Sequence, residues 1–214
     1  MGPSRLFLRY IEQVLPSLGE TGVVSVTVGD LVPGVHARAE DDEAVARIKG
    51  LPAWAKIVKE AVRSLAKLPE GDQVLRVWNR EVTLSRSDVE TARRRAKRSG
   101  RAHNVARESF ARELMDVLAL RLAREAGDAD SEGGVDPEVK RSWLIEIRDS
   151  VDCRRAINTA WMPTSAGTLL RRLYARPEVL AAANRKAGSP LRPDELAALV
   201  RPRSAPWTVS DVPI

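Results

Sequence analysis

Few residues in this chain have the chemistry to act on a substrate. There are two histidines and one cysteine among 214 residues. His36 lies in a linker beside Pro33 and Gly34, and His103 stands beside Asn104 at an expected helix start. Neither pairs with a nucleophile in a recognisable way, and both read as surface or capping residues. Cys153 falls on an expected helix beside Arg154 and Arg155. Such charges can lower a thiol pKa, but a small packed helix residue is the plainer reading. The chain contains no GxxxxGK[ST] phosphate loop and no GxGxxG fingerprint. Catalysis by this chain alone is therefore not expected.

Two charge clusters remain. Arg93, Arg94, Arg95, Lys97, Arg98 and Arg101 fall inside nine positions. Lys and Arg side chains so spaced can track phosphates, with release of counterions. The same cluster also suits a solvated helix face or an acidic protein surface. It contains no Phe, Tyr or Trp, which argues against a stacking platform for single strands. The second cluster is acidic. Glu125, Asp128, Asp130, Glu132, Asp136 and Glu138 follow one another with no basic residue among them. The order of an EF-hand loop is missing, so dedicated calcium binding is excluded. A solvated loop is the simplest reading; an acidic tip that mimics nucleic acid or approaches metals held by a partner is the alternative.

The distribution of charge is more informative than its total of +6. Residues 86–126 carry eleven basic and six acidic side chains, 127–152 three basic and eight acidic, and 170–203 eight basic and three acidic. The order is basic, acidic, basic, and such blocks tend to be solvated or partner-facing. A hydrophobic fraction of 43% is that of a globular chain. A single Cys excludes an internal disulfide framework and a four-Cys zinc site. No apolar run approaches the roughly 20 residues of a membrane span, and the N-terminus lacks a signal-peptide pattern. A cytoplasmic chain without a resident metal is expected.

These clusters need elements to position them. Residues 4–15 read as a short helix, with Phe7, Tyr10, Ile11, Val14 and Leu15 at helical spacing. The β-branched run 22–28 reads as a strand. Helices are expected at 41–49 and 53–67, the second with Trp54, Val58, Ala61 and Leu65 on one face. A small hairpin follows, with Leu75 and Val77 facing Val82 and Leu84 and with Asn79 and Arg80 as its loop. Ser87 and Glu90 fit a capping box that opens the helix carrying the Arg cluster. Ser99 and Gly100 close it. Residues 104–126 form the clearest helix, with Ala106, Phe110, Leu114, Val117, Leu118 and Leu122 in one stripe. Gly127 ends it, and 127–135 has the composition of a flexible acidic loop. Asp136 as N-cap and Pro137 at the first helical position restart helix, which the spacing of Val139, Trp143, Ile147 and Val151 carries to Trp161. Shorter helices follow at 165–175, 177–187 and 193–201, and then a Pro-rich extended close. The expected fold is mainly α. Two long helices over 104–161 are joined by an acidic loop, a small β-hairpin accompanies them, and short strand and helix pieces stand at the ends.

Four stretches carry a resemblance. They are GPSRLFLRYIEQVLPSLGETGVV (2–24), ARRRAKRSGRAHNVARESFARELMDVL (92–118), RRAINTAWMPTSAGTLLRRLYARPEVL (154–180) and LVRPRSAPWTVSDVP (199–213). Together, in this order, they resemble the actinobacterial HelD family of helicase-like ATPases, which bind and recycle RNA polymerase. The resemblance implies a piece of a longer protein. Residues 1–38 and 202–214 would be separated parts of a helicase-like 1A domain, and 39–201 a HelD-specific insertion with a projecting arm at about 104–161. It implies that the insertion enters the main channel of the bacterial RNA polymerase core. The loop bearing Asp128, Asp130, Glu132 and Asp136 would approach the polymerase active site, helping to exclude nucleic acid and, in some members, rifamycins. The Arg cluster would brace the insertion or touch acidic walls. ATP and Mg2+ would serve the parent superfamily 1 ATPase, and this piece would hold no cofactor and perform no catalysis. Trp143 and Trp161 read as core rather than contact. The alternative function is a helical module that binds DNA or RNA directly through residues 93–101.

Overall fold

The computed structural model describes residues 5–15, 24, 26–37, 39–128 and 134–214. Among them the fold is mainly α, with ten helices and one two-stranded antiparallel sheet. Two compact units form: Met1–Ala61 with Gly167–Ile214, and Val62–Ala166. Both division points fall within the stretch 39–201 that the resemblance marks as a single insertion.

The first unit contains α1 (Arg5–Val14), α2 (Glu43–Lys49), most of α3 (Trp54–Arg63), α8 (Ala166–Ala175), α9 (Pro177–Lys186) and α10 (Pro193–Ala198). The Asp42 carboxylate accepts from Val45 N–H at 2.9 Å and starts α2. Pro177 and Pro193 each stand at a helix start, where no N–H is needed. Leu169, Leu170, Leu173, Tyr174, Leu180 and Leu199 are buried, with Trp54 against the edge of the Tyr174 ring. Of the strand expected at 22–28, residues 22, 23 and 25 lie outside the described residues. Val24 and Val26 have no regular structure, and Val28–Asp30 is a single 3-10 turn.

The second unit has one continuous core. Leu75, Val77, Val82 and Leu84 of β1 (Gln73–Val77) and β2 (Arg80–Leu84) are buried together with Val89, Ala92 and Ala96 of α4 (Arg86–Arg98). Phe110, Leu114, Leu118 and Leu122 of α5 (His103–Ala126) fill its centre. Ile147 of α6 (Pro137–Asp149) and Cys153, Ala156, Ile157 and Ala160 of α7 (Val151–Ala160) complete it. The expected α5 stripe is buried except for Val117, which is half-buried, and Ala119 and Ala123 widen it.

Four local expectations change, each for a tertiary or stereochemical reason. Helix α3 ends at Arg63 rather than at 67, because Ala66 pairs with Trp161 in an antiparallel bridge. Lys67 N–H donates to Ala160 C=O at 2.8 Å, and Met162 N–H to Leu65 C=O at 3.0 Å. The hairpin loop is Trp78 and Asn79, one residue earlier than expected. The capping box is Ser85 with Asp88, not Ser87 with Glu90. Ser85 Oγ accepts from Asp88 N–H at 3.1 Å, and Asp88 Oδ2 accepts from Ser85 N–H at 3.0 Å.

The fourth change is the largest. The helix expected over 136–161 breaks at Ser150, whose backbone is extended (φ −62°, ψ 125°). Ser150 Oγ donates to Arg76 C=O at 2.6 Å, and Arg76 N–H donates to the Asp152 carboxylate at 3.2 Å. Arg76 lies opposite Glu81 in β1, and its N–H and C=O point away from β2. An unpaired strand edge is costly when covered, so the start of α7 turns to satisfy it. Ser150 Oγ also accepts from Cys153 N–H at 3.2 Å and caps α7. The break leaves Val151 exposed, outside the stripe expected for it.

Candidate functional site

The basic cluster separates into two roles. Helix α4 buries Val89, Ala92 and Ala96, so the residues between them face away from the core. Arg95 Nη1 lies 2.6 Å from the Glu113 carboxylate of α5, tying the two helices together. Arg93, Arg94, Lys97 and Arg98 instead line an open groove of about 480 Å³, with Leu68 and Glu90 as the other lining residues. Among the described residues no carboxylate makes an ion pair with these four cations or with Arg101. The Arg94 guanidinium reaches only Thr91 Oγ1, at 3.4 Å. Lys97 has its pKa lowered by partial burial and by the nearby charges of Arg93 and Arg63. Like charges are thus gathered around a groove whose lining includes no aromatic residue.

The acidic cluster is described only at its edges. Asp130 and Glu132 lie outside the described residues. Gly127, at φ +81°, ends α5 in the left-handed region that glycine adopts without steric cost. Asp128 is exposed, and its Oδ2 accepts from Trp143 Nε1–H at 3.4 Å. The Asp136 carboxylate accepts from Glu138 N–H at 2.7 Å and so serves as the N-cap of α6. Asp116 and Lys140, 2.7 Å apart, join α5 to α6. Among the described residues no three His, Cys, Asp or Glu side chains gather as a metal-ligand set.

His103 and Cys153 are held in packed, hydrogen-bonded positions. His103 Nε2 lies 2.8 Å from Met162 C=O, and its ring packs 5.5 Å from that of Trp161. Asn104 exchanges two hydrogen bonds with the Thr164 backbone, and Arg107 donates to Trp161 C=O at 2.9 Å. These three residues clamp the start of α5 to the chain after α7. Burial pushes the Cys153 thiol pKa up, the Asp152 charge adds to the rise, and a hydrogen bond with Ser150 offsets only part of it. His36 is exposed. Trp161 is buried against Phe110, as expected of core. Trp143 is half-buried at the core margin, with the Arg80 guanidinium 5.9 Å from its ring centroid.

The first unit holds a buried polar network that the sequence reading missed. Lys49, only 3% exposed, places Nζ 2.8 Å from both Asp41 carboxylate oxygens and 2.9 Å from Asp211 Oδ1. It also donates to Thr208 Oγ1 at 3.0 Å. Asp211 Oδ2 receives the Arg201 guanidinium at 2.5 Å and Thr208 N–H at 2.9 Å. Burial works to raise the Asp211 pKa. The hydrogen bonds from Thr208 N–H, Lys49 and Arg201 outweigh it and hold the carboxyl below its ordinary value. The buried Tyr174 ring lies beneath Arg201, 4.4 Å from its guanidinium carbon, and burial together with the Asp211 charge drives its phenol pKa up. The available signal was Thr208-x-x-Asp211, a capping pattern. Its partners, Asp41 and Lys49, are far away in sequence.

No family model matches the chain, and no curated protein matches it.

Proposed function

We propose that this chain is a non-catalytic, RNA polymerase-binding insertion of a HelD-like transcription recycling factor. The observation that carries the reading is the α5–α6 pair joined by an acidic segment. Helix α5 has 24 residues, about 36 Å of reach at 1.5 Å per residue. Its end bears exposed Asp128, and Asp130 and Glu132 follow in sequence before the cap Asp136. Carboxylates are natural magnesium ligands. An acidic tip on a helical arm therefore suits a basic, magnesium-holding channel that otherwise takes nucleic acid. The order of the four matching stretches supports the same assignment. On this reading ATP binding and hydrolysis belong to other parts of a longer protein, and this chain supplies reach and negative charge.

The test is binding of this chain to core RNA polymerase, with and without a DNA–RNA scaffold in the main channel. Binding that is lost on adding scaffold is expected. Binding indifferent to scaffold places the contact elsewhere and overturns the tip role. No binding by this chain or by the full-length protein overturns the assignment. Replacing Asp128, Asp130 and Glu132 by Asn, Asn and Gln should abolish scaffold-sensitive binding. It should leave the melting temperature within about a degree or two, because exposed Asp128 contributes little and all three changes remove charge without altering side-chain size.

A further inference from the structure

We propose that the α4 groove is a docking site for an extended acidic peptide segment of a partner protein, in which carboxylates flank one apolar side chain. The site involves none of the acidic loop residues and does not depend on the polymerase reading. Its basis is the arrangement around Leu68. Arg93 and Lys97 form one row along α4 and Arg94 and Arg98 another, each row stepping by one helical turn. That step of four residues is about 6 Å. Every second side chain of an extended peptide repeats at about 6.6 Å, close enough for flexible Arg and Lys side chains to follow. Leu68 contributes carbon to the lining of the groove, and the cation stems add to it. A phosphate group has nothing apolar to place there; a peptide side chain does.

Charge complementarity selects the occupant. Three guanidiniums with no internal carboxylate partner offer planar forks for bidentate carboxylate binding. The mutual repulsion felt at Lys97 is the kind that an arriving anion relieves. The nucleic-acid alternative lacks support at the same place. No aromatic residue lines the groove on which a base can stack; Glu90 repels a phosphate and a carboxylate alike. Glu90 also sets polarity, because it favours a peptide end without a carboxylate beside it. Arg95 is excluded from the site by its bond to Glu113.

The experiment is fluorescence anisotropy on the whole chain with two probes. One is a short labelled peptide with Glu and Asp around a central Leu; the other is a single-stranded oligonucleotide of equal charge. The peptide should bind, and replacing its Leu by Ser should weaken it. Arg94→Ala with Arg98→Ala should weaken it at least about tenfold, a loss of roughly 1.4 kcal/mol. Leu68→Ala should weaken it without altering the salt dependence, while Arg95→Ala should leave affinity unchanged. Circular dichroism of each variant checks that the helices persist. An oligonucleotide that displaces the peptide and loses affinity in the same variants overturns the proposal in favour of nucleic acid. A peptide that fails to bind at low salt, or binds the Arg94/Arg98 variant equally well, overturns it outright.

Discussion

Asp211 shows how much one side chain can hold when it is buried among cations. It joins Lys49, Arg201 and the Thr208 backbone in a site almost closed to water. Taking such charges out of water is costly, and their value shows when one partner is removed. Lys49→Met leaves Asp41 and Asp211 facing each other without their cation. We expect a loss of about 3–5 kcal/mol, read as a fall in the urea midpoint. The pH dependence has a definite sign. A carboxyl held below its ordinary pKa of 3.8 stabilises the fold fully above that pH. The stabilisation disappears as pH falls through the lower folded-state value. Asp211→Asn should therefore be less stable at neutral pH and show a shallower loss of stability below about pH 4. Asp88 shifts in the same direction. Partial burial opposes the shift, and hydrogen bonds from Arg121 and Ser85 prevail. At Cys153 the expectation is kinetic. A buried thiol with a raised pKa should react with a thiol reagent only slowly in native buffer and at once in denaturant.

At the scale of elements, two serines near the start of α4 give a direct comparison. Ser85 caps the helix, whereas Ser87 stands in its first turn, touching Ser85 Oγ at 2.8 Å. Ser85→Ala should cost about 1 kcal/mol and Ser87→Ala a few tenths, measured by chemical denaturation. A larger loss at Ser87 would return the cap to it. The sequence offers both, since each serine is followed three positions later by an acid, Asp88 or Glu90. The choice falls to Ser85 because β2 ends at Leu84 and Asp88 also receives the Arg121 guanidinium at 2.6 Å. Ser150 makes the same point for helix continuity. Local spacing alone carries α6 onward to Trp161, but the edge of β1 claims the Ser150 hydroxyl and the Asp152 carboxylate. The hairpin loop follows suit. Trp78, at φ +52° and exposed, adopts a conformation that bulky residues rarely take.

At the scale of the molecule, the core of the second unit is drawn from residues 66–161 alone. A segment with its own core should fold by itself. We expect the excised piece 62–166 to unfold cooperatively with helical circular dichroism, whereas 1–61 without 167–214 should not. The reason is that the first unit is discontinuous: Ala39 pairs with Thr208, and Lys49 needs Asp211. The sequence by itself determined the mainly helical class, the hairpin faces, the α5 stripe and the helix stops at Gly100 and Gly127. Each of these depends on periodicity or on a residue's own stereochemistry, and neither needs a distant partner. It also displayed both charge clusters, because charge is visible in composition. Only the tertiary structure separated Arg95 from the four cations of the groove, broke the helix at Ser150 and buried Lys49 among carboxylates. Those outcomes depend on which groups meet across tens of residues. Burial then makes every unmet hydrogen bond or charge costly, and a one-dimensional pattern carries no record of that cost.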